Sequence, residues 1–127
     1  MAREFPRSRR LEEQVQRSLS EALRRARDPR IQQAVITAAR VSRDLSVAWV
    51  YVAPLDPAQP TDQLAAGLER ARGFLRSALA RELRVRQVPE LRFRIDDTSR
   101  RAAEMDALIE AARRRDQAGG PPGQQED

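Results

Sequence analysis

Arg72 and Arg76 stand four residues apart around Gly73, in the run Ala71-Arg72-Gly73-Phe74-Leu75-Arg76. Four residues is just over one helical turn, so the two guanidinium groups share a face if a helix carries both. Further arginines lie at Arg3, Arg7, Arg9 and Arg10 in an N-terminal arm, at Arg43 in a predicted hairpin turn, and at Arg84 beyond the predicted helix. The chemistry open to such groups is recognition. A guanidinium fork binds phosphate bidentately, stacks on bases and stays charged at physiological pH. Bond-making has little to work with, because the chain holds neither histidine nor cysteine. The commonest general base and the thiolate nucleophile are both missing. Asp96 and Asp97 are adjacent carboxylates, but no histidine or third ligand accompanies them, and Thr98-Ser99 beside them read as helix caps. No active site, metal or cofactor is expected.

All 24 basic residues are arginine, and the net charge is +5. Coding bias toward arginine accounts for the choice over lysine, yet the resulting surface suits nucleic acid whatever its origin. The charge is uneven. Residues 1–30 hold nine arginines against five acids and residues 61–96 hold eight against five, whereas 97–127 hold five against seven. A basic face beside an acidic end follows from that distribution. No apolar run approaches the roughly 20 residues of a membrane span, and the N-terminus carries no secretory apolar stretch. The expectation is a cytoplasmic binding protein, with residues 1–115 forming one domain and 116–127, rich in glycine and proline, a disordered tail.

The elements that must position these arginines are legible from period and punctuation. Leu11, Val15, Leu19, Ala22, Leu23 and Ala26 form an amphipathic stripe from about Ser8, its predicted N-cap, to Arg27. Asp28-Pro29-Arg30 ends it, since the residue before proline avoids helical angles. Leu64, Leu68, Ala71, Leu75, Leu79 and Leu83 form a second stripe. One straight helix over that stripe would be roughly 35 Å long at about 1.5 Å per residue, nearly the diameter of a small domain. A bend at Gly73 is therefore predicted, with Thr61 capping the first half. A final helix follows Thr98 or Ser99, with Met105, Leu108, Ile109 and Ala112 apolar.

Three strands are predicted. Residues 35–41 and 47–52 are rich in β-branched and aromatic residues, joined by the turn Ser42-Arg43-Asp44-Leu45. Leu91, Phe93 and Ile95 alternate with Arg92, Arg94 and Asp96 after Pro89. Pairing Val41 with Ser46 sets Ala39 opposite Ala48, Thr37 opposite Val50 and Val35 opposite Val52 on the face beneath the helices. Ile36, Ala38, Arg40, Val47, Trp49 and Tyr51 then occupy the other face, with Arg92 and Arg94. A one-residue slip would bury Trp49 and Tyr51 instead, but the chosen register keeps Arg40 out of the core. The result is an α+β sandwich whose sheet has one open face.

With these pieces in order, the chain resembles the ribosome-binding factor A family. The matching segments are Ser8-Arg9-Arg10, Asp28-Pro29-Arg30, Val41-Ser42-Arg43-Asp44-Leu45, Val50-Tyr51-Val52, Ala71-Arg72-Gly73-Phe74-Leu75-Arg76 and Val88-Pro89-Glu90-Leu91-Arg92-Phe93. The resemblance implies a KH-like fold of the second type, α-β-β-α-α-β, with a three-stranded mixed sheet covered on one face by helices and a C-terminal helix beyond. It also implies a non-catalytic monomer that binds free or immature small ribosomal subunits and assists late maturation of their RNA, including processing at its 5′ end. Partners would be the small subunit, its RNA and an assembly GTPase, with no membrane. Ordinary KH domains clamp RNA with a G-x-x-G loop; Ala71-Arg72-Gly73 holds one glycine, so recognition of folded RNA through basic surface is expected instead. The rRNA-binding set is then Arg3, Arg7, Arg9, Arg10, Arg43, Arg72, Gly73, Arg76 and Arg84. The alternative is an arginine-rich protein–protein interaction module without direct RNA contact.

Overall fold

Proline is favoured in the first turn of a helix, where its missing N–H is not needed, and Pro6 opens helix α1 (Pro6–Arg25). The computed structural model describes residues 6–118. Ser8 therefore lies inside the helix and does not cap it. The stripe Leu11, Val15, Leu19, Ala22, Leu23 is buried throughout, and Ala26 just beyond the helix joins it. The segment Asp28-Pro29-Arg30 ends α1 and also starts another element, the single turn α2 (Pro29–Gln32). Asp28 caps it by accepting the Arg30 backbone N–H at 2.9 Å, with Pro29 in the first turn.

Strands β1 (Ala34–Val41) and β2 (Val47–Pro54) pair antiparallel, and β3 (Glu90–Ile95) joins β2 in parallel, giving a mixed sheet ordered β1-β2-β3. Between β2 and β3 lie α3 (Thr61–Arg70) and α4 (Arg72–Glu82). This is the α-β-β-α-α-β order implied by the resemblance, with α2 added. Leu64, Leu68, Leu75, Leu79 and Leu83 pack with the α1 stripe on Ala39, Ala48, Val50, Val52 and Leu91 of the sheet. Each large side chain so buried contributes about 1.5–3 kcal/mol relative to exposure.

The hairpin closes two residues later than the sequence suggested. Ser42 N–H donates to the Val47 carbonyl at 2.8 Å, and Val41 faces Ala48 rather than Ser46. The side chain of Asp44 dictates this: it accepts from the hydroxyls of Ser42 (2.8 Å) and Ser46 (2.7 Å), so the turn is completed only at Ser46. A shift of two preserves faces, and Ala39, Ala48, Val50 and Val52 are buried as expected. None of the expected pairs Ala39–Ala48, Thr37–Val50 and Val35–Val52 forms: Ala39 faces Val50 and Val35 faces Ala53. A bulge between Ile36 and Ala38 reverses the start of β1, burying Ile36 and leaving Val35 42% exposed. Trp49 and Tyr51 lie on the face away from the core, beside Arg92 and Arg94 in register.

The bend in the helical pair falls at Ala71, not Gly73. Ala71 has φ −90° and ψ 3°, while its N–H still bonds Gly67 O at 3.0 Å and its carbonyl accepts from Leu75 N at 2.9 Å. One residue in the bridge region of backbone space thus turns the axis without a loop. Gly73 is the second residue of α4, and an added Cβ there would meet nothing within 4 Å. Pro60, not Thr61, occupies the cap position of α3, with no side-chain cap bond.

The described residues divide into two units, those up to Asp96 and those from Asp97 onward. The second holds α5 (Thr98–Ala118), whose Met105, Leu108 and Ile109 are 56%, 65% and 43% exposed. Asp116–Ala118 are helical although a tail was expected from 116 onward, and the remainder of that tail lies outside the described residues.

Candidate nucleic-acid interface

Glu12 and Gln16, one helical turn apart on α1, reach the outer edge of β1. Glu12 Oε2 accepts the Val41 N–H at 3.0 Å, and Gln16 Nε2 donates to the Ile36 carbonyl at 3.1 Å. Helix α1 therefore runs antiparallel to β1, and its N-terminal end lies beside the hairpin turn. This brings together two arginines far apart in sequence. Arg7 and Arg43, with Ser8 and Leu45, line one recess of about 490 Å3. Arg9 and Arg10 are exposed on the same first turns of α1, and Arg3 lies outside the described residues.

The turn holding Arg43 is rigidly built. Asp44 also accepts the Ser46 backbone N–H at 3.1 Å, and Leu45 takes a left-handed conformation at φ 65°. The hydroxyls of Ser46 and then Ser42 hold the Asp44 carboxyl below its ordinary pKa. Its Oδ1 is thus turned into the loop and shapes the platform on which Arg43 stands.

A second basic recess, of about 320 Å3, forms at the other end of α1. Arg25, Ala26, Arg27 and Asp28 meet Arg70, Ala71 and Phe74 across it, over buried Ile31. Asp28 is tied to Arg30 by a 2.7 Å ion pair. The Arg30 side chain, then its backbone N–H, pulls the Asp28 carboxyl down to about 2. Its negative charge is thereby offset by Arg30, beside a recess lined by three other arginines. Phe74 is 41% exposed, presenting apolar surface next to those cations.

Arg72 and Arg76 lie on α4 one turn apart, as expected, but their surroundings differ. Arg72 pairs with Glu69, donates to the Leu91 carbonyl on the free edge of β3, and sits 5.5 Å over the Phe93 ring. Arg76 is exposed. Arg84 is exposed in the segment after α4. The structure thus joins Arg7 with Arg43 and keeps Arg72 and Arg76 near the bend.

Arg25, Arg27, Arg70 and Phe74 escaped sequence reasoning. Arg25 and Arg27 fall where a helix C-terminus favours cations, and no motif singles out Arg70. The usable signal was their adjacency to the two breaks, at residues 26–29 and at 71, which the fold stacks together. Asp96 accepts the Thr37 hydroxyl at 2.7 Å and Asp97 pairs with Arg101 at 3.2 Å. Among the described residues no three acidic side chains converge as a metal site, and no helix is long and apolar enough to cross a membrane.

Comparison with known proteins places these features in context. The family described as Ribosome-binding factor A matches residues 7–109. The ribosome-binding factor A of Thioalkalivibrio sulfidiphilus is 41% identical over 122 residues, covering 95% of each chain. The crystal structure of ribosome-binding factor A from Thermus thermophilus is similar with a TM-score of 0.64 and 35% identity, over 69% of this chain and 93% of that one. A homology model of the Thermus thermophilus factor, fitted into a cryo-EM map of its 30S complex, is similar at TM-score 0.57 and 36% identity, over 67% and 90% of the chains.

Proposed function

The chain belongs to the ribosome-binding factor A family, and from that premise we propose that it is a non-catalytic assembly factor for the small ribosomal subunit. It binds free or immature subunits through their RNA, assists late maturation and 5′-end processing of that RNA, and leaves before translation. It acts in the cytoplasm as a monomer, with an assembly GTPase as a further partner. The observation carrying this reading is the family match over residues 7–109 together with a similar factor fitted on the 30S particle. The two arginine-lined recesses support it chemically, because guanidinium groups in shallow concavities suit phosphate oxygens better than they suit a reacting substrate.

The test is sedimentation of tagged protein through a ribosome gradient at graded salt. Co-migration with free small subunits is expected. With about six phosphates contacted, affinity should fall roughly a thousandfold between 50 and 200 mM salt. Migration with whole ribosomes or with neither fraction, or insensitivity to salt, overturns the reading. The competing reading, a protein-interaction module, draws on the exposed Met105, Leu108 and Ile109 of α5. It requires association that survives RNase and ignores neutralisation of the recess arginines.

A further inference from the structure

The sheet has a face that the assembly reading leaves unused. Ala48, Val50 and Val52 are fully buried under the helices, and side chains alternate along a strand. Trp49 and Tyr51 therefore stand on the opposite face, each half-buried among its neighbours. The register sets Arg40, Trp49 and Arg92 in one row across the three strands, and Ala38, Tyr51 and Arg94 in the next. The three arginines are exposed. Two acids share the face: Glu90 pairs with Arg92 at 3.4 Å, and Asp96 is bound to the Thr37 hydroxyl. Arginine remains in excess.

We propose that this face takes up unpaired RNA bases, stacked on Trp49 and Tyr51, with Arg92 and Arg94 meeting the adjoining phosphates. The inference rests on the RNA-binding reading above and deepens it by naming the ligand as a single strand. Aromatic side chains flanked by cations match how single-stranded nucleic acid is held, by π-faces for bases and guanidinium groups for backbone. The spacing excludes a stacked strand. Residues two apart on β2 are separated by about 7 Å, twice the roughly 3.4 Å step of stacked bases. Only splayed bases fit both rings. A docked protein is the poorer occupant, because the excess of arginine over acid on this face complements a polyanion and would leave cationic charge unmatched against a neutral partner.

Trp49 is the sole tryptophan, so intrinsic fluorescence reports this face alone. The full chain is titrated with oligouridylate and oligoadenylate of about ten nucleotides, an abasic oligomer of equal length, and poly-glutamate. Saturable quenching by the base-bearing oligomers is expected, with the abasic oligomer binding about tenfold more weakly and Tyr51→Leu costing about tenfold. Arg92→Gln with Arg94→Gln should flatten the salt slope by about 1.4, at ~0.7 per phosphate on a single strand. Circular dichroism confirms that each variant is folded. Equal binding of the abasic oligomer or of poly-glutamate, or oligonucleotide binding that leaves fluorescence unchanged, overturns the inference. Retained co-sedimentation with small subunits in that event leaves the assembly reading standing; loss of both removes the two together.

Discussion

Arg72 and Arg76 show how far one residue type can divide its work across a single helical turn. The guanidinium of Arg72 closes a gap in the fold: its bond to Leu91 O satisfies a carbonyl that an edge strand would otherwise leave open to another chain. Its pairing with Glu69 is exposed and contributes little by itself. Contact with Phe93 adds a modest cation–π attraction. Together these predict that Arg72→Ala lowers stability by about 1–2 kcal/mol, read as a shifted urea midpoint. Arg76→Ala should leave stability within about 0.5 kcal/mol while weakening subunit binding. An unaltered midpoint for Arg72→Ala would mean that the edge bond contributes nothing. A spacing of four says that the two share a face. It cannot say that a strand nineteen residues onward reaches one of them.

Glycine plays the converse part at the scale of elements. The sequence places the bend at Gly73 because glycine is the obvious punctuation in a leucine stripe, yet Ala71 bends the pair and Gly73 is an ordinary helical residue. The glycine that the fold requires is Gly67 on α3. An added Cβ there would stand 2.8 Å from Ile31 Cγ2 and 3.1 Å from Arg30 Cβ, so α2 would have to shift against α3. Gly67→Ala should destabilise by about 1–3 kcal/mol despite alanine's better helix propensity. Gly73→Ala should stabilise by roughly 0.5–1 kcal/mol. Chemical denaturation ranks them, and the opposite order would refute this packing account. The long elements were legible because burial enforces their period: the stripes of α1, α3 and α4 and the alternation of β2 and β3 match the core. The four-residue α2 has no period to read. The bulge at Thr37 and the late closure at Ser46 depend on side-chain bonds, including one to Asp96 across the sheet, which local pattern does not encode.

At the scale of the molecule, arginines line recesses at both ends of α1 among the described residues. Arg7 with Arg43 occupies one, and Arg25, Arg27 and Arg70 the other. Eighteen residues of helix separate Arg7 from Arg25, or about 27 Å at 1.5 Å per residue. If both recesses are contacted, an RNA partner must offer phosphates at both ends of α1. Sites so far apart with no shared partner act additively. Arg7→Gln with Arg43→Gln should flatten the salt dependence of subunit binding by about 1.8, at ~0.9 per lost contact to duplex RNA treated as a B-form polyanion. Arg25→Gln with Arg27→Gln should do the same, and the four changes together should sum. Titration of labelled small subunits at several salt concentrations reads all three slopes. If one pair carries the whole effect and the other none, the factor docks by a single end. The second recess would then owe its arginines to the electrostatics of a helix terminus alone.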